Sequence, residues 1–436
     1  MKCRWPYLPA FRYHVFRYHV FRWPPSVDYN RGMNAICLVI DRLHAGYIGA
    51  YGNSWIQTPS LDRLACEAFT FDQAHVDSPC PERLYRSYWQ GWHAMGQPPS
   101  PERPSLAAML RTSGVETALL TDDPAVAEHP SAADFDELIE IDRPWEAQGV
   151  DRIEQTHLAK CFVRAIDFLE SARQPLLLWC HMAGLGTTWD APLEFRQTYA
   201  EEGDPDPPTS AEVPDRRLAA GYDPDELLGI TQSYAGQVSL LDTCLGAFLE
   251  FFESSPLRDD TMLVLTSPRG FPLGEHGRVG PCDGALYGEL VHVPLMIRLP
   301  DGLGAAARSQ ALVGPTDLWA TLLEVCGVTQ PPPSPEAGSL MPILRQETDM
   351  LRDRFCILGE GPDRAIRTPA WALRTAAPPE LFAKPDDRWE VNDVADRCDA
   401  VVQDLSNALA QYEQAIRADE VVSLPPLGQI LLDGFE

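Results

Sequence analysis

The sequence predicts an α/β fold with a mainly parallel central sheet. Three apolar runs, at 34–40, 175–181 and 261–266, lack polar alternation, so they read as strands buried on both faces. Segments with helical spacing separate them, which is the order of βαβ units. The first and third runs also lead into charged residues, Asp41-Arg42 and Ser267-Pro268-Arg269, and the second ends in His181. Ligands of open α/β sheets bind at such carboxyl strand ends.

Taken in order, residues 1–32 are expected to be a disordered leader. Phe11-Arg-Tyr-His-Val15 repeats as Phe16-Arg-Tyr-His-Val20, and Pro24-Pro25 follows. A period of five fits neither helix nor strand. Met33, directly before the first strand, reads as the natural start. The competing reading is a basic-aromatic arm for anions.

Helices are expected at 62–69, with Ser60 as N-cap, at 83–95, at 105–113 and at 151–171. The second carries a bulky face of Tyr85, Tyr88, Trp89 and Trp92. A strand at 114–120 ends in Thr121-Asp122-Asp123, and residues 201–226, rich in Pro and Asp, read as a surface loop. A long helix at 230–253, a strand at 293–298 and a helix at 317–327 complete the main domain, 33–330. The Pro-rich stretch 330–337 separates it from a smaller C-terminal part, 338–436, which closes with an amphipathic helix at 398–417.

The formal charge of −28 argues against nucleic acid and anionic membrane as partners, since phosphate contacts need clustered Lys and Arg. The 11 cysteines show no paired metal-binding spacing and sit singly in apolar segments. They read as buried thiols of a reducing compartment. No 18-residue apolar run and no signal-peptide pattern is present, so a cytoplasmic location is expected.

The stretch 34–91 resembles the opening of the sulfatase family, within the alkaline phosphatase superfamily. The resemblance rests on the strand ending at Asp41, on Gly52-Asn53 with Thr58-Pro59-Ser60-Leu61-Asp62-Arg63-Leu64-Ala65, and on Cys80-Pro81-Glu82-Arg83. Leu273-Gly-Glu-His276-Gly277, Val293-Pro-Leu-Met-Ile-Arg298, Ala365-Ile-Arg-Thr and Glu380-Leu-Phe382 continue it to about residue 410. The resemblance implies an alkaline-phosphatase-like three-layer sandwich with a small C-terminal α+β subdomain. It also implies sulfuric ester hydrolysis by a formylglycine nucleophile beside a divalent cation, usually Ca²⁺.

The chain departs from the family at the residues that do this chemistry. Asp41 matches the first metal ligand, whereas Arg42, Pro268 and Arg269 stand at the other three. A guanidinium has five donors and no lone pair, so it cannot ligate a cation. Each Arg about 4 Å from a divalent ion would add roughly 8 kcal/mol of gross repulsion at an effective dielectric near 20. When Pro81 and Arg83 are aligned on the nucleophile motif, Pro79 falls at its Cys position and Cys80 one place late, with Glu82 for Ser. The family's His and Lys positions fall near Gly186 and on Pro281.

The expectation is therefore a pseudo-sulfatase with no metal cofactor. Arg42, Arg83 and Arg269 are its candidate anion-binding residues, able to grip a sulfated or phosphorylated small molecule. The alternative within it is a plug, in which Arg42 and Arg269 pair with Asp41 and Glu82. Cys80, Arg83, His181 and His276 are the candidate catalytic residues. A divergent ester hydrolase with Ca²⁺ at Asp41 is a second reading. A scaffold using the aromatic face from Tyr85 to Trp92, with an unidentified protein partner, is a third.

Overall fold

The computed structural model describes residues 33–97, 103–143, 149–281, 284–328, 337–418 and 424–434. The leader and most of the Pro-rich stretch lie outside the described residues. The strands of the main part are β1 (Asn34–Ile40), β2 (Phe69–Ala74), β3 (Glu116–Thr121), β4 (Glu137–Glu140), β5 (Leu176–Met182), β6 (Arg216–Arg217), β7 (Thr261–Thr266), β8 (Arg278–Val279), β9 (Leu295–Arg298) and β10 (Arg308–Val313). Eight form one sheet in the order β10-β2-β9-β7-β1-β5-β3-β4. Only β9 runs against its neighbours, β2 and β7; the other pairings are parallel.

β1 is central and shows why the sheet is covered on both faces. Ala35, Cys37 and Val39 point into one core with Tyr85, Trp89 and Trp319. Ile36, Leu38 and Ile40 point into the other with Tyr234, Leu241 and Phe248. Successive strand side chains alternate between faces, so a strand apolar at every position needs a helical layer on each side. The long helix Pro224–Ser254 supplies one layer; Pro81–Gln90 and Pro315–Val325 belong to the other.

A second sheet follows: β11 (Phe355–Leu358), β12 (Arg364–Arg367), β13 (Trp371–Arg374) and β14 (Glu380–Ala383), antiparallel in sequence order. Ile366, Leu373, Leu405 and Tyr412 form a third core there, under the helix Asp399–Ile416. Among the described residues, no helix is long and apolar enough to cross a membrane.

Several elements differ from expectation. The first helix is Pro59–Glu67, with Thr58 rather than Ser60 at its N-cap, because Pro is well suited to the first helical position. The second is Pro81–Gln90 and stops at Gly91, whose φ of 63° ends the helix in a left-handed turn. Its bulky face is not a docking surface. Tyr85, Tyr88 and Trp89 are buried, and Trp89 packs edge-on against Trp179 and Phe135. The scaffold reading through Trp89 is thereby corrected, since the residue faces the core.

Candidate functional site

The parallel register brings the ends of β1, β5 and β3 together. Val39 pairs with His181, and His181 with Thr121, so Asp41 and Asp123 leave the sheet beside the same histidine. One donor atom from each of Asp41, Asp123 and His181 lies within 4.8 Å of the others. His181 Nε2 is 3.6 Å from Asp123 Oδ2, and its Nδ1 contacts the Tyr85 hydroxyl.

Arg269 grips Asp41 with two parallel hydrogen bonds. Nε donates to Oδ1 and Nη2 to Oδ2, each at 3.0 Å. Its Nη1 donates to the Pro79 carbonyl at 3.3 Å, tying this pair to the segment before Cys80. Arg42 lies behind, its Nε 3.9 Å from Asp41 Oδ1, and it is 1% exposed. Burial alone would push the Asp41 carboxyl up; the Arg269 and Arg42 guanidiniums outweigh it and hold the group at about 2. Asp123 is likewise lowered, its burial outweighed by His181.

The backbone at Arg42 has φ 66°, a left-handed conformation that costs a non-glycine residue about 1–3 kcal/mol. Three contacts fix it. The Arg42 N–H donates to the Arg269 carbonyl at 2.9 Å, and the Tyr234 hydroxyl donates to the Arg42 carbonyl at 2.6 Å. The same hydroxyl accepts from the His44 N–H at 2.9 Å. Gly186 completes the fit: a Cβ there would stand 2.7 Å from Arg42 Cγ and 3.5 Å from Asp41 Oδ2. The arginine stem thus occupies the room a side chain at 186 would need.

The other sequence candidates are dispersed. Arg83 does not join this cluster; its Nη1 donates to the Gly359 carbonyl in the C-terminal part. Glu82 is exposed and makes no plug with the arginines; its backbone carbonyl faces His129. Cys80 occupies the N-cap position of the helix Pro81–Gln90 without a side-chain capping bond; it is a half-buried thiol outside any disulfide, its N–H bonded to Ser78 Oγ at 3.3 Å. His276 lies where the main part meets the C-terminal part. It bonds Glu289 Oε1 at 2.7 Å and the Glu390 carbonyl at 3.0 Å, and it stacks on Tyr287. Asp123 and Tyr85, both on His181, are not among the site residues expected from the sequence, where Tyr85 reads only as part of an aromatic helix face. The strand-end position of Asp123 was the available signal.

These donors do not fit a hard divalent cation. Ca²⁺ takes six to eight oxygens. Here both Asp41 oxygens are engaged by Arg269, and Arg42 and Arg269 add positive charge where further oxygens would be needed.

Comparison with known proteins agrees with this architecture. The family model described as Sulfatase matches residues 33–328. An N-acetylglucosamine-6-O-sulfatase of Bacteroides thetaiotaomicron is 28% identical over 198 residues, 44% of this chain and 34% of that protein. Human iduronate 2-sulfatase is 22% identical, with 76% of each chain covered. A structure solved with its substrate D-glucosamine-2-N,6-O-disulfate superposes with a TM-score of 0.73 at 18% identity, covering 89% of this chain and 99% of the other. Phosphonate monoester hydrolase of Agrobacterium radiobacter gives 0.72 at 17%, covering 88% and 96%. The fold is that of the alkaline phosphatase-like α/β proteins. The chain belongs to the sulfatase family.

Proposed function

We propose that this sulfatase-family protein is a pseudo-sulfatase, with a guanidinium in place of the family's divalent cation. The two-point bond from Arg269 to Asp41 carries the reading. It neutralises the one carboxylate matching a family metal ligand, in a site where Asp41 is 3% and Arg269 12% exposed at the side chain. Asp41 and Asp123 together balance Arg42 and Arg269, which favours a closed ionic plug over a strong anion site. A sulfated or phosphorylated small molecule remains the ligand class to test, by analogy with the substrate-bound relative. Cytoplasmic placement belongs to the same proposal, with six cysteines held as buried thiols.

The test is calcium analysis of the purified protein together with turnover of 4-nitrophenyl sulfate and 4-nitrophenyl phosphate. The expected result is no bound calcium and no turnover above Asp41→Ala. Stoichiometric calcium, or turnover abolished by Asp41→Ala, would overturn the proposal. The proximity of Asp41, Asp123 and His181 favours the second reading, a divergent ester hydrolase in which a cation displaces Arg269. Loss of bound metal in Asp123→Ala would identify that arrangement.

A further inference from the structure

Behind the Asp41 site lies a second constellation that the proposed function does not use: Asp122, His157 and Cys161. We infer that these three residues form a buried site for a borderline-soft divalent ion, of the zinc class. His157 and Cys161 are four residues apart on the helix His157–Ser171, so they share one face. Asp122 meets that face from the end of β3. The residues are 2%, 0% and 4% exposed for His157, Cys161 and Asp122.

The geometry is close to that of a tetrahedral ion. Cys161 Sγ is 3.7 Å from His157 Nε2. A zinc ion with Zn–S of about 2.3 Å and Zn–N of about 2.0–2.1 Å sets these atoms roughly 3.6 Å apart. Asp122 Oδ2 is 2.6 Å from the same nitrogen, a hydrogen-bond distance that must open by roughly 0.7 Å on coordination. All three donor atoms lie within 4.8 Å of one another. Asp122 Oδ1 is separately held by the Ala183 N–H at 2.7 Å, which fixes the carboxylate with Oδ2 turned to the cluster. The backbone N–H of His157 is anchored on Asp190 Oδ2 at 2.6 Å. His157 Nδ1 has no protein partner, so the ring's polar contacts all run through Nε2.

Charge and donor type select the ion. A thiolate and a carboxylate cancel a divalent charge while imidazole stays neutral, so a dry interior receives no net charge. One sulfur, one nitrogen and one carboxylate suit Zn²⁺ and not Ca²⁺ or Mg²⁺, which need an oxygen shell. On binding, Cys161 releases its thiol proton to solvent and keeps the electron pair for the metal bond. In the ion-free site the imidazole proton sits on Nε2 against Asp122 Oδ2; on binding it leaves Nε2 and a proton is taken up on Nδ1, so the neutral ring offers its Nε2 lone pair. The ion would clamp the end of β3 to the helix, and so fix Asp123 beside His181.

Cobalt(II) tests this without any activity assay. Protein produced in cobalt-supplemented medium, purified under reducing conditions, should hold one cobalt per chain. It should show a near-ultraviolet thiolate-to-cobalt band and visible bands of a tetrahedral site. Cys161→Ser should lose the thiolate band, and Asp122→Asn should lower the cobalt content several-fold. Asp41→Ala and Cys80→Ser should leave both unchanged, which separates this site from the Asp41 plug. Substoichiometric cobalt in the native chain, or a thiolate band that survives Cys161→Ser, overturns the inference.

Discussion

Arg269 binds both carboxylate oxygens of Asp41 at 3.0 Å, and this pair closes the carboxyl end of the central strand. Bidentate Arg–carboxylate pairs combine charge with a fixed planar geometry. Here the pair is almost dry, so breaking it from one side leaves a charge that water cannot solvate.

Arg269→Ala should therefore destabilise the protein by about 3–5 kcal/mol, the usual cost of stranding one partner of a buried pair. Adding Asp41→Asn should recover much of that loss. Urea denaturation of the native protein, both single variants and the double variant gives the coupling directly. A single-variant loss under about 1 kcal/mol would mean that the pair is solvated like a surface bridge.

Acid should expose the same interaction. The Asp41 carboxyl is held at about 2, below its usual 3.8. For a lowered acid pKa, the stabilisation is full above the unfolded value and disappears as pH falls through the folded one. The shift corresponds to about 2 kcal/mol lost between pH 4 and 2. Asp41→Asn should flatten that part of the stability–pH curve.

The sheet was largely legible because β1, β5 and β7 are apolar at nearly every position. β2 was missed: Asp72 and Gln73 interrupt its pattern, and the preceding helix was extended into it. β4 and β10 were missed because they are edge strands with exposed charged residues, which hide the apolar period. In the site, the motif positions identified Asp41, Arg42 and Arg269. Arg83 keeps its motif position while its side chain donates to the Gly359 carbonyl, because a motif position fixes a backbone locus and not a side-chain direction. The sequence offered no spacing that joins Asp123, Tyr85 and His181, since sheet register brings Asp123 to His181 and packing of the helix Pro81–Gln90 on the sheet brings Tyr85.

Tyr234 should support the strained Arg42 backbone. Its hydroxyl donates to the Arg42 carbonyl and accepts from the His44 N–H, both buried. Tyr234→Phe removes this hydroxyl from both groups and should cost about 1–3 kcal/mol. Thermal denaturation measures the loss. A variant as stable as the native protein would show that water replaces the hydroxyl.

Asp77 should act in the opposite direction from Asp41. It is fully buried, and burial raises its carboxyl to about 6, against hydrogen bonds from Ser87 at 2.5 Å and the Ala94 N–H at 2.8 Å. A raised acid pKa means that the folded protein holds the proton longer than the unfolded chain. Stability then falls as pH rises from about 4 to 6, by about 3 kcal/mol in all. Asp77→Asn should remove this slope. An unchanged slope would assign it to other groups.

His276 should make the join between the main and C-terminal parts sensitive to alkali. Both ring nitrogens face acceptors, Glu289 Oε1 and the Glu390 carbonyl, so the doubly protonated ring satisfies both. Burial lowers its pKa, but the hydrogen bond and charge of Glu289 outweigh it, and the net shift is upward. For a histidine raised in this way, the stabilisation is complete below about 6.5 and is lost as pH climbs through the folded value. His276→Gln keeps the size but not the charge, so stability should lose its dependence on pH in that window. Hydrogen exchange in β14 should then rise first in the native protein at alkaline pH, because Glu390 follows that strand and anchors Arg367 and Lys384. Equal pH dependence in native and variant would place the titration elsewhere.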